Sequence, residues 1–150
     1  MSKYQPDDVS NHPDGYEGDD GTMPDNIADF ERNIVGHKIV SIDSGPLEGV
    51  WSEYSRMIIT LDNGKRVALS DNEDCCAYTE LVGFLSHPEN FNHVITAVES
   101  ENGYTKWHVL ADMREVLELD VSWSSGTGYY SYGFWIDVYD PETGKWGDAE

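Results

Sequence analysis

From Gly36 onward the apolar residues tend to recur at every second position, the period that sets alternate side chains on opposite faces of a β-strand. Ile39, Val40 and Ile42 predict a first strand that stops at Ser44-Gly45-Pro46. Met57, Ile59 and Leu61 alternate toward Asp62-Asn63-Gly64, and Lys65 to Leu69 reads as the return strand. Asn-Gly between alternating runs is a strong hairpin signal, because a type I′ turn needs positive φ at both central residues. Val94 to Val98 and Tyr104 to Leu110 form a second predicted pair, joined by Ser100-Glu101-Asn102-Gly103. Leu117, Leu119, Val121 and Trp123 alternate with Glu118, Asp120 and Ser122, and Ser124-Ser125-Gly126-Thr127-Gly128 then predicts a turn. Tyr130, Tyr132, Phe134, Ile136 and Val138 are expected to pair back along that strand. Asp140-Pro141-Glu142-Thr143-Gly144 predicts a last turn, with glycine in the left-handed position, feeding a short edge strand through Trp146.

Two stretches depart from this period. Asp25 or Asn26 is placed to cap a helix through Asn33, with Ile27, Phe30 and Ile34 on one face and Gly36 past its end. A helical turn is expected around Leu81 to Leu85. Ahead of the helix, Pro6, Pro13, Pro24, Gly15, Gly18 and Gly21 are interspersed with Asp7, Asp8, Asp14, Glu17, Asp19 and Asp20. Such a segment buries too little apolar surface to offset its ordering entropy. The predicted organisation is therefore an acidic disordered arm over residues 1–26 and a single β-rich domain over 27–150. The fold class is α+β, predominantly antiparallel β, as a small barrel or sandwich-like curled sheet with a short N-terminal helix. There is no internal repeat, no heptad and no alternation of strands with long helices, which argues against Rossmann and TIM architectures.

Charge narrows the choice of partners. Nine Lys and Arg stand against twenty-nine Asp and Glu, for a formal net charge of −20 over 150 residues. On a folded surface of roughly 7,700 Å² that is one net negative charge per ~400 Å². Direct nucleic-acid binding is not expected, because it requires Lys and Arg to displace condensed counterions. An anionic membrane surface is disfavoured for the same reason. No run approaches a membrane span and the start of the chain lacks the apolar region of a signal peptide, so a cytoplasmic protein is expected. The charge either keeps the protein soluble or forms a docking face for a basic protein.

Candidate chemistry centres on Asp71, Glu73, Asp74, Cys75 and Cys76. With His87 these residues resemble a metal cluster, but adjacent cysteines diverge in an extended chain, whereas zinc sites space them by two to four residues. The glycine and later glutamate of an EF-hand are absent. A vicinal disulfide is strained, so two reduced thiols are expected, and the neighbouring carboxylates oppose thiolate formation, which favours semi-buried packing thiols over a nucleophile. Neither a catalytic residue, a metal ligand nor a cofactor is assigned. The segment from Gly126 to Trp135 precedes a strand rather than a helix, unlike a phosphate loop, and no Lys or Arg occurs between Glu115 and Lys145 to support base stacking. Tyr129, Tyr130, Tyr132, Trp135 and Tyr139, extended by Lys106, Trp107 and His108 on a neighbouring strand, are read instead as an aromatic interaction patch, with the acidic residues as the other part of the surface.

The succession Leu61-Asp62-Asn63-Gly64, Asn72-Glu73-Asp74-Cys75-Cys76 and Gly126-Thr127-Gly128-Tyr129-Tyr130-Ser131 resembles a family of small phage and bacterial proteins of unknown function, DUF7448. The resemblance spans about Ile34 to Val138; where members often follow the cysteines with an acidic residue, this chain has Ala77-Tyr78. It carries no activity to transfer and implies a phage origin, hence work in the host bacterial cytoplasm. The expected function is that of a non-enzymatic accessory protein binding a basic, nucleic-acid-binding or other protein through its acidic surface and aromatic patch. The alternatives are a virion-associated assembly module and a thiol- or metal-dependent enzyme.

Overall fold

The computed structural model describes residues 21–44, 55–125 and 132–148. Helix α1 spans Thr22–Ile34, and the strands are β1 Ile39–Ser44, β2 Ser55–Leu61, β3 Arg66–Ser70, β4 Asn72–Glu73, β5 Tyr78–Ser86, β6 Ala97–Glu101, β7 Lys106–Ala111, β8 Arg114–Ser124, β9 Trp135–Asp140 and β10 Lys145–Asp148. They form two five-stranded sheets in the orders β1-β2-β3-β9-β10 and β4-β5-β8-β7-β6, all pairings antiparallel and neither sheet closed. The chain switches sheets at Asp71, between β3 and β4. Among the described residues no helix is long and apolar enough to cross a membrane.

Alternation decides what each sheet buries. Met57, Ile59, Val67, Leu69 and Ile136 from the first sheet share one core with Val98, Trp107, Val109, Leu117, Leu119, Val121 and Trp123 from the second. Helix α1 contributes Met23, Ile27, Phe30 and Ile34 to that core, at spacings of three and four residues. Trp107 lies at its centre, 6.0 Å from the ring of Phe30 and edge-on to Phe134 at 5.3 Å. The indole N–H groups of Trp107 and Trp123 donate to Tyr104 O and Gly103 O at 2.9 and 2.8 Å, pinning the β6–β7 turn.

The predicted β2–β3 and β6–β7 hairpins and the turn before Trp146 are present, the last with Gly144 at φ 70°. The β2–β3 turn is not the expected type I′, since Gly64 has φ 87° but Asn63 is not in the positive-φ region. Three further expectations change. Strands β8 and β9 do not pair: β8 lies between β5 and β7, so both its edges are occupied, while β9 joins β3 and β10 in the other sheet. Of the turn expected between them, Ser124 to Gly128, residues 126–128 lie outside the described residues, as does Tyr130 at the start of the expected return strand. The helical turn expected at Leu81–Leu85 is part of β5. A bulge between Leu81 and Gly83 inserts one residue, so Leu81 and Phe84 oppose Val121 and Leu119 on the same face while three apart, which imitates helical spacing. Helix α1 also begins at Thr22, not at a cap on Asp25 or Asn26, and accepts Pro24 in its first turn, where no backbone donor is lost. Asn26 is buried and bonds to Phe134 instead.

Candidate functional site

On β7, Trp107 and Val109 point into the core, which turns Lys106 and His108 to the outer face of the second sheet. The register then builds rows across three strands. Glu101, Lys106 and Asp120 form one row, and Glu99, His108 and Glu118 the next. A bulge in β8 sets the row beyond, of Ala97, Leu110 and Glu115: Val109 opposes Leu117 and Leu110 opposes Glu115, leaving Val116 as the extra residue. Because Val116 and Leu117 both face the core, Glu115 is displaced to the outer face, where strict alternation would have turned it inward.

His108 is only 2% exposed although it sits on this outer face. Both its ring nitrogens meet carboxylates: Nδ1 lies 2.6 Å from Glu115 Oε1, and Nε2 lies 2.6 Å from Glu101 Oε2. Burying an imidazole is costly unless its polar atoms are partnered, and here each nitrogen has a carboxylate at short hydrogen-bond distance. Glu118 is itself positioned. His87 Nε2 is 2.8 Å from its Oε2, and Lys106 Nζ is 4.0 Å from its Oε1 and 3.0 Å from Asp120 Oδ1. The hydrogen bond to Asp120 is the main cause that holds the Lys106 ammonium above its ordinary pKa, with Glu118 and Glu101 adding to it against the opposing effect of burial. One ligand atom each from His108, Glu115 and Glu118 lie within 4.8 Å of one another. Chemically this is an imidazole and two carboxylates, a donor set suited to a divalent cation.

The residues singled out from the sequence are distributed differently. Asp71 is almost buried and accepts from Arg56 Nε at 2.7 Å and from the Leu81 backbone N–H at 3.0 Å, so it braces the point where the chain changes sheets. Glu73, Asp74, Cys75 and Cys76 are exposed at the β4–β5 turn, closed by Asp74 N–H to Ala77 O at 2.8 Å. There the two sulfurs are joined in a vicinal disulfide, against the expectation of reduced thiols. That expectation rests on the strain of a bond between chain neighbours, whereas here the two cysteines sit in the tight β4–β5 turn with their sulfurs together. Trp107 is wholly buried, and Tyr132 is buried in a stack on Trp123 with ring centroids 6.0 Å apart, so both belong to the core and not to a surface patch. Tyr129 and Tyr130 lie outside the described residues.

What remains of the aromatic patch lies on the outer face of the first sheet. Trp135 is 47% exposed and opposes Ser70 on β3. Tyr139, four residues along the same strand, lies under the Arg66 guanidinium at 5.3 Å and beside Trp146 at 5.5 Å. The acidic rows, on the other sheet, do not adjoin it in register. From the sequence His108 enters only as an extension of the aromatic patch, and its grouping with Glu101, Glu115 and Glu118 is not singled out. Alternation places His108 and Glu118 on outward faces, but only the strand order makes them neighbours.

A family model described as a domain of unknown function (DUF7448) matches residues 32–136. The matched span contains Cys75, Cys76 and the whole His108 cluster, and stops before Tyr139 and Trp146. No curated protein and no solved structure matches the chain.

Proposed function

Because the chain belongs to the DUF7448 family, whose members share a domain without an assigned activity, we propose a function from its own surface: a non-enzymatic accessory protein that docks onto a basic protein. One observation carries this reading. The outer face of the second sheet sets Glu80, Glu99, Glu101, Glu118 and Asp120 on adjacent strands around Lys106 and His108. An excess of one sign on a flat sheet face steers oppositely charged partners and raises their association rate, an effect that salt weakens. The overall charge of −20 adds to the same field. Trp135, on the other sheet, offers an exposed anchor of the kind that contributes strongly to interfaces, and forms the aromatic half of the proposal. The setting implied by the family resemblance is the cytoplasm of a phage-infected bacterium.

The test compares the tagged protein with a Glu80→Gln/Glu99→Gln/Asp120→Asn variant and with Trp135→Ala, each incubated with lysate of infected cells and washed at low and then high salt. The expected result is one stoichiometric basic protein, held at low salt, released at high salt and lost from the triple variant. Retention by the triple variant at wild-type level removes the acidic face from the proposal, and wild-type retention by Trp135→Ala removes the aromatic anchor.

A further inference from the structure

We infer that the outer face of the second sheet carries a divalent-cation site formed by His108, Glu115 and Glu118. The inference is independent of any protein partner. Its first support is the bulge at Val116, an irregularity whose effect is to bring Glu115 out of the core side and up to His108 Nδ1 at 2.6 Å. Bulges are enriched beside functional sites because they re-aim a side chain in this way.

The second support is the orientation of the imidazole. Histidines that ligate metals characteristically donate their other ring N–H to a carboxylate, which sets the tautomer and makes the ligating nitrogen more basic. Glu101 Oε2 stands 2.6 Å from Nε2, on the opposite side of the ring from Glu115. In the tautomer that donates Nε2–H to Glu101, the ligating nitrogen is Nδ1, which faces Glu115. The third support is that Glu118 is already braced by His87 Nε2 at 2.8 Å, as ligating carboxylates commonly are by hydrogen-bond donors. Glu101 and His87 are thus positioning residues, and the three ligands come from β7 and β8 at the middle of the sheet.

Ligands about 2.1 Å from a metal lie roughly 3.0–3.4 Å from one another in octahedral or tetrahedral geometry. The three donor atoms all lie within 4.8 Å of one another, so closing on one ion requires them to draw together by less than about 2 Å. The Glu115 and Glu118 side chains are 18% and 21% exposed, so water has access to the remaining coordination positions. One imidazole nitrogen with two carboxylate oxygens favours zinc, manganese, cobalt or ferrous iron over calcium, which takes oxygen ligands.

The site is tested on the full chain at neutral pH by titration with Co²⁺, followed by its visible absorption, and with Zn²⁺ by calorimetry. One saturable ion per chain is expected. Glu115→Gln and Glu118→Gln should each weaken binding at least about tenfold, Glu101→Gln by about tenfold through loss of orientation, and Glu142→Gln, on the turn before β10, should leave it unchanged. Nitrogen NMR of the His108 ring in the unmutated protein reads the same site without a folding risk: Zn²⁺ should shift Nδ1 while Nε2 keeps its proton. The inference is overturned if both nitrogens stay protonated at saturating Zn²⁺, or if folded Glu115→Gln and Glu118→Gln bind as the unmutated protein does. The cluster would then be an ion-pair network alone.

Discussion

Asn26 satisfies both backbone groups of Phe134, donating from Nδ2 to its carbonyl at 3.0 Å and accepting from its N–H at 2.9 Å. The residue before it, Gly133, is held in the same way, by Asn72 Nδ2 on its carbonyl and Thr79 Oγ1 on its N–H. Gly133 has φ +91°, and a Cβ there would sit 3.1 Å from Thr22 Cγ2, so the side chains of α1 close over a position that suits glycine. Asn26→Ala would leave a buried N–H and carbonyl without partners, and should cost about 2–4 kcal/mol in urea denaturation. Asn26→Asp should also destabilise, because it keeps the acceptor but sets a carboxylate against the Phe134 carbonyl. A cost below about 1 kcal/mol for both would show that water replaces the amide. The cysteine pair leads to the opposite expectation. A bond between chain neighbours closes almost no loop, so reduction should leave the melting temperature nearly unchanged, while the unfolded, unreduced chain should show no titratable thiol.

At the scale of elements, α1 is tied to the sheets from its first turn. Met23 is wholly buried in the core, with its sulfur 3.8 Å from Thr79 Oγ1. Truncating a buried methionine costs the transfer of its atoms plus a cavity, so Met23→Ala should lose about 2–5 kcal/mol. Removing residues 1–24 should cost at least as much, since it deletes Met23 and the first turn of the helix. A melting curve unchanged by that deletion, as a boundary at residue 26 would imply, would show that Met23 contributes nothing to the core. The strands teach a related point through their bulges. In β5 one extra residue gives Leu81 and Phe84 a helical spacing, and in β8 one extra residue delivers Glu115 to the outer face. Period-two reasoning fails at both places for the same cause, because a bulge exchanges the two faces of a strand beyond it.

For the whole molecule the dominant quantity is the charge. With −20 on one chain, the compact state suffers self-repulsion that the unfolded chain relieves. Salt screens that repulsion over a Debye length that falls from about 30 Å at 0.01 M to about 8 Å at 0.15 M. The melting temperature should therefore rise over that range, as measured by calorimetry in sodium chloride. Local pairs such as Lys106 with Asp120 oppose the trend only weakly, since both side chains are substantially exposed. A melting temperature independent of salt would mean that the carboxylates are already compensated, and bound cations would be the first thing to look for.

The sequence alone determined which side chains of several strands face inward, because alternation is a local property of a pleated chain and Leu117, Leu119 and Val121 follow it, whereas Trp107, read as part of a surface patch, needed the structure to place it in the core. It determined the β2–β3 and β6–β7 hairpins, whose turns are written in a few residues such as Asn63-Gly64, and it determined the charge. It did not determine which strands lie side by side. Strand β8 and the residues before β9 look like hairpin partners, but an alternating strand presents the same backbone donors and acceptors to any neighbour, and the choice was made by closure of one core beneath two sheets. His108 meets Glu101, Glu115 and Glu118 for the same reason. Their encounter depends on the order β8-β7-β6 and on a single inserted residue, and both were decided by packing against the buried tryptophans on the other side of the sheet.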